Sequence, residues 1–148
     1  MSLSLISKYT MAAALLIGLL LAVGCSEEQS RLVNGQPAPA FTLERLEKGS
    51  LGFPRDLNGK VVAIRFWADW CPFCESEMQA MESVYQVYRE QGLVILAINV
   101  RQDRKTAEDF IGKLEISYEV LLDTDGTDAR TYGVIGMPTT FRVDRNGN

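Results

Sequence analysis

The chain has 148 residues, 15 basic and 19 acidic side chains for a net charge of −4, three cysteines and no histidine. That length serves one domain. The missing histidine excludes a Ser-His-Asp or Cys-His triad within the chain and a His-rich metal or haem site, and the mild acidity argues against a nucleic-acid partner.

The N-terminus carries Lys8, no acid, and an apolar run over residues 11–23. The run is shorter than the ~20 residues a spanning helix needs. A basic start, a short apolar core and small residues at its end predict a secretory signal over residues 1–24. The junction Leu21-Ala22-Val23-Gly24-Cys25 resembles a bacterial lipobox. That resemblance implies that Cys25 is acylated and holds the mature chain in membrane lipid. Without the modification the segment is an ordinary signal or short anchor. Both readings put the domain outside the cytoplasm, beside a membrane. Residues 25–35 are polar and read as a tether, which leaves residues 36–148 for the domain.

Residues 40–43 and 52–55 suggest an N-terminal hairpin. Residues 61–67 (VVAIRFW) are apolar and β-branched, as in a buried strand. From residue 72 to about 91 the period changes: Met78, Met81, Tyr85 and Tyr88 recur at helical steps, and Gly92 stops the helix. A strand over residues 93–100, a helix over 106–114, a strand over 118–122, a short helix over 125–132 and a strand over 139–143 complete the order. Strands alternating with helices predict an α/β fold, a mixed central sheet flanked by helices.

The chemistry concentrates at Trp70-Cys71-Pro72-Phe73-Cys74. A C-x-x-C between a buried strand and a helix start is a redox signature. Free backbone N–H groups and the helix dipole favour a thiolate at Cys71. Pro72 suits the first helical turn, and Cys74 lies within disulfide reach. Cys71 is the expected nucleophile and Cys74 the resolving thiol. Zinc would want two more ligands, and a static bridge across so short a loop gains little stability. No metal and no cofactor are expected.

The segment Phe66-Trp67-Ala68-Asp69-Trp70-Cys71-Pro72-Phe73-Cys74 resembles the active site of the thioredoxin superfamily, and Gly136-Met137-Pro138-Thr139-Thr140-Phe141 resembles its cis-proline loop. The resemblance implies a thioredoxin-like fold and a cis Pro138, with Met137 beside the thiols. Trp70, Pro72, Phe73, Met137 and Pro138 become the expected substrate contacts. An unrelated Pro138 would merely begin a strand edge. Within the superfamily, Gly35-Gln36-Pro37-Ala38-Pro39-Ala40-Phe41-Thr42-Leu43, Leu57-Asn58-Gly59-Lys60 and the stretch from Leu121 to Val134 resemble the membrane-tethered TlpA/ResA-type disulfide reductases. That likeness implies a thiol-disulfide oxidoreductase of the bacterial cell envelope. It implies disulfide-bearing protein substrates, apocytochrome c among them, and a membrane dithiol donor. It also places a proton-relaying glutamate at Glu77, a position that equally suits a first-turn acid held by the dipole.

Three departures stand out. Classical thioredoxins carry a buried acid six residues before the first active-site cysteine, where this chain has Arg65. A cation beneath the pair would favour the thiolate and a more oxidising protein, unless Arg65 snorkels to the edge. Pro72-Phe73 is closer to the dipeptides of glutaredoxins and oxidising Dsb-type proteins, which raises disulfide donation as an alternative direction. The family pattern continues with a strand and a helix beyond the Asn146-Gly147 turn, so the sequence reads as C-terminally truncated. A peroxiredoxin of the AhpC/TSA type is the competing enzyme. It needs an upstream Thr and Pro that Trp67-Ala68-Asp69-Trp70 lacks. A copper carrier would want ligands that the core-spaced Met78 and Met81 do not supply.

Overall fold

The computed structural model describes residues 32–148, so the predicted signal and Cys25 lie outside the described residues. In chain order the elements are β1 (Phe41–Arg45), β2 (Ser50–Phe53), β3 (Val61–Trp67), α1 (Cys74–Tyr88), β4 (Leu93–Val100), α2 (Arg104–Ile111), β5 (Glu119–Asp123), α3 (Thr127–Thr131) and β6 (Thr139–Val143). Short 3-10 turns at Arg55–Leu57 and Arg89–Gln91 join them. Among the described residues no helix is long and apolar enough to cross a membrane.

The strands form one mixed sheet in the order β2-β1-β5-β4-β3-β6. The β5-β4-β3 centre is parallel, while β1 joins β5, β2 joins β1 and β6 joins β3 antiparallel. Parallel neighbours need crossovers, and α1 and α2 supply them. This is the thioredoxin-like, mixed α/β architecture expected from the sequence.

Side-chain alternation along β3 sorts the core into two layers. Val62, Ile64 and Phe66 join the hairpin residues Phe41, Leu43, Leu51 and Phe53, with Ala129 and Tyr132, on one face. Trp67 joins Ile95, Ala97, Met78, Ala107 and Phe110 under α1 and α2 on the other. Phe66 and Trp67 are fully buried, and each such side chain contributes about 1.5–3 kcal/mol of hydrophobic stabilisation. Tyr132 packs its ring 5.4 Å from Phe66 and 5.2 Å from Phe141, and its hydroxyl donates to the Pro39 carbonyl at 2.6 Å.

Most element boundaries shift by one to a few residues from expectation, and two helix starts have clear causes. Helix α1 starts at Cys74 rather than residue 72, because the Cys74 N–H bonds to the Cys71 carbonyl three residues back at 3.2 Å, closing a turn before the regular helix. Tyr88, placed on the buried stripe by periodicity, is 48% exposed and lies just before the 3-10 turn. Helix α2 begins earlier, at Arg104, because the Asp103 carboxylate accepts from the Thr106 N–H at 2.7 Å and caps it. Gly92, in the left-handed region at φ 94°, turns the chain from that 3-10 turn into β4.

Candidate active site

Strand β3 delivers the chain to the site. After Trp67 the backbone tightens: the Cys71 N–H donates to the Ala68 carbonyl at 3.2 Å, and the Cys74 N–H repeats the pattern on Cys71. Cys71 and Cys74 are joined as a disulfide, with Cα atoms 5.4 Å apart. Cys71 therefore sits just before α1, on the axis end where unpaired amides and the helix dipole favour negative charge. Both cysteines are buried in the α1-side layer with Trp67 and Met78.

The loop before β6 arrives beside them. The Met137–Pro138 peptide bond is cis, and the Met137 side chain packs against the layer that holds the two cysteines. A second cis bond, Phe53–Pro54, ends β2 far from the thiols in sequence. Trp70, just before the pair, and Phe73, between its two cysteines, stand 66% and 64% exposed, and Ile135, two residues before Met137, is fully exposed. Trp67 is buried and stacks on Phe110 at 4.9 Å, so of the two tryptophans only Trp70 is available as a contact surface.

Arg65 lies inside the protein, 6% exposed, on the same face of β3 as Trp67. It does not snorkel. One guanidinium nitrogen donates to Thr140 Oγ1 on β6 at 2.7 Å, and the other forms an ion pair with Glu77 on α1. Its Nε–H is buried without an acceptor among the described residues. The Glu77 side chain is 52% exposed, so the pair lies at the rim of the helix-sheet interface. Glu77 is one helical turn beyond Cys74, and its recorded side-chain partner is Arg65 rather than a thiol.

A second network holds the approach to Cys71. Gln102 accepts from the Asp69 N–H at 2.9 Å through its side-chain oxygen and donates to the Asp69 carboxylate through its amide. Asn99, fully buried at the end of β4, donates to the same Gln102 oxygen at 2.8 Å. Arg101 between them takes a left-handed φ of 56°, rare for a residue with a side chain, and so turns Gln102 back toward the site. Sequence reasoning missed Asn99, Gln102 and Thr140. The signal for the first two was their place at the C-terminal end of a parallel strand, where α/β sheets put their sites.

Carboxylates at the start of α3 are strained electrostatically. Asp123, buried at the end of β5, accepts from the Ala129 N–H at 2.8 Å and the Asp128 N–H at 3.3 Å, and burial raises its pKa. Asp128 is pushed up to about 6 by its own burial, then by the charges of Asp123 and Asp125. On the thiol side of the sheet, the Tyr118 hydroxyl donates to the Met78 carbonyl at 2.8 Å, and burial pushes its pKa well above the usual phenol range.

Comparison with known proteins follows the same lines. The model of the AhpC/TSA family matches residues 34–148. A protein of Geobacillus kaustophilus named thiol-disulfide oxidoreductase ResA is 34% identical over 146 residues, 95% of this chain and 83% of the relative. Among solved structures, a Chlorobium tepidum protein provisionally assigned as the thiol:disulfide interchange protein DsbE is 34% identical with a TM-score of 0.75, over 79% of this chain and 82% of that one. A secreted disulfide oxidoreductase of Mycobacterium tuberculosis, described as homologous to E. coli DsbE, is 26% identical with a TM-score of 0.66, over 73% of this chain and 78% of its own.

Proposed function

Because the chain belongs to the AhpC/TSA family and is a thiol-disulfide oxidoreductase of the ResA kind, we propose that it reduces protein disulfides in the bacterial cell envelope. The observation that carries this reading is the Cys71–Cys74 disulfide, buried in the same core layer that the Met137 side chain of a cis-proline loop packs against. The structure holds the oxidised form. A dithiol donor reduces it, and the Cys71 thiolate then attacks one sulfur of a substrate disulfide. The substrate S–S bond breaks, a mixed disulfide forms, and the other substrate sulfur leaves as a thiolate. Cys74 next attacks Cys71, releasing the second substrate sulfur and closing the pair.

Glu77, a turn away, takes the Cys74 proton in this scheme. Trp70, Pro72, Phe73, Met137 and Pro138 form the surface on which the substrate segment lies. Apocytochrome c, whose haem-site cysteines must be kept reduced, is the substrate suggested by the ResA-like sequence pattern. Cys25 carries the lipid, residues 1–24 are removed, and residues 25–35 tether the domain. A lipid anchor puts the site near a membrane dithiol donor, and the signal-like N-terminus supports the extracytoplasmic face.

The test is the reduction potential of the pair together with insulin reduction driven by a dithiol. A value near the thioredoxin end (~−270 mV) supports the reductase, and one near ~−120 mV supports the disulfide-donating alternative. The family match also keeps peroxidase chemistry in view. Peroxide consumption faster than insulin reduction would replace the proposal with that one.

A further inference from the structure

A buried charge must be paired, neutralised or moved. Arg65 meets this demand only in part. Its one acidic partner, Glu77, is half exposed, so water screens that carboxylate more than it screens the guanidinium. Its second partner, Thr140, is neutral, and its Nε–H has no acceptor among the described residues. Tyr118, just before β5 on the thiol side of the sheet, is a neutral phenol held protonated by burial and adds no negative charge. Strand β3 therefore carries an under-compensated positive charge on the face that also buries Cys71 and Cys74.

Reduction creates the missing counter-charge. The disulfide accepts two electrons from a donor dithiol, which becomes a disulfide itself. The Cys71–Cys74 S–S bond breaks, one donor proton forms an S–H bond, and the other leaves to solvent. The product is one thiol and one thiolate in place of a neutral disulfide. We propose that Arg65 is the internal counter-ion of that thiolate, a charge-setting residue that favours the reduced pair and so narrows the substrates to labile, exposed or strained protein disulfides. The inference rests on the thiol-disulfide reading of the site. Its consequence follows from exchange equilibria: a reductant whose reduced form is stabilised passes electrons only to disulfides of still higher potential, and those are the strained or exposed ones. The Thr140 bond adds geometry to the charge. It ties the guanidinium to the strand that follows Pro138, so the counter-ion and the cis-proline loop keep a fixed relation to the pair.

The experiment equilibrates the full chain and its Arg65→Gln and Arg65→Lys variants with glutathione, and titrates the thiolate by its ultraviolet absorbance. Arg65→Gln is expected to move the equilibrium about tenfold toward the disulfide, ~30 mV more negative, with a higher thiolate midpoint. Arg65→Lys, which keeps the charge, is expected within about threefold of the parent. A folded Arg65→Gln protein with the parent's equilibrium and midpoint overturns the proposal. If Arg65→Gln does not fold, Glu77→Gln decides. Removing the carboxylate leaves Arg65 uncompensated, so the equilibrium should move toward the dithiol, and no movement or the reverse overturns the proposal. Failure of the parent protein to exchange with glutathione at all would overturn the functional reading instead.

Discussion

Gln102 holds Asp69 at two points, accepting from its backbone N–H and donating to its carboxylate, and thereby clasps the residue two before Cys71, the proposed nucleophile. Gln102→Ala removes both contacts and strands the buried Asn99 amide, which donates to the same oxygen. The expected cost is about 1–3 kcal/mol, the penalty of an unsatisfied buried donor. Denaturant unfolding measures it. Exchange with a protein disulfide should also slow several-fold, since the turn carrying Trp70 and Cys71 loses its brace. Unchanged stability and rate together would show that the clasp is incidental.

Cys71→Ser should abolish disulfide reduction, because the attacking sulfur is gone. Cys74→Ser should still attack but fail to resolve, so a mixed disulfide through Cys71 accumulates. Intact mass spectrometry after a single turnover separates the two. An adduct on the Cys71→Ser protein and none on Cys74→Ser would reverse the roles.

Much of this was legible in the chain itself. Strands β3, β4 and β6 have the bounds expected of them: β3 and β4 are buried apolar runs, and β6, a partly buried edge strand, follows the proline loop. The C-x-x-C and the proline loop were legible because each is a local pattern. The bonds around Arg65 were not. Arg65 meets Thr140 only through the antiparallel register of β3 and β6, which joins residues 75 apart. The Asp69–Gln102 clasp spans 33 residues and depends on the left-handed Arg101 between Asn99 and Gln102. Pairings of this kind are set by tertiary register, and a propensity scale does not contain them. The first residue of α1 escaped for a smaller reason: the turn through Cys71–Cys74 mimics a helix start without being one.

Ile135 offers a fully exposed apolar side chain just before the cis-proline loop. Ile135→Ser should raise KM for a protein disulfide about tenfold, the equivalent of losing roughly 1.4 kcal/mol of apolar contact in the bound state. The effect on a small-molecule disulfide, which covers less surface, should be smaller. Steady-state kinetics with both substrates checks the difference. Equal changes for the two would place Ile135 outside the docking surface.

Asp128 predicts a pH dependence of stability. Its folded-state pKa is raised to about 6, above the usual 3.8. The folded protein therefore binds more protons than the unfolded chain between these values. The contribution is fully present below about pH 4 and is lost as pH rises through 6. Asp128→Asn should stabilise the protein near pH 7 by about 1 kcal/mol, allowing for solvent screening of a half-exposed group, and by almost nothing near pH 4. Denaturant midpoints at the two pH values test this. A constant offset would assign the effect to something other than titration.

The antiparallel seam between β3 and β6 has a consequence for biosynthesis. Ribosomes release β3, α1 and β4 well before β6, so the two cysteines emerge while the strand that will flank them is still unmade. During that interval the thiols lack both the proline loop and the Thr140 anchor for Arg65. Pairings between segments so distant in sequence form late in folding. The surroundings of the pair are thus complete only when β6 docks on β3.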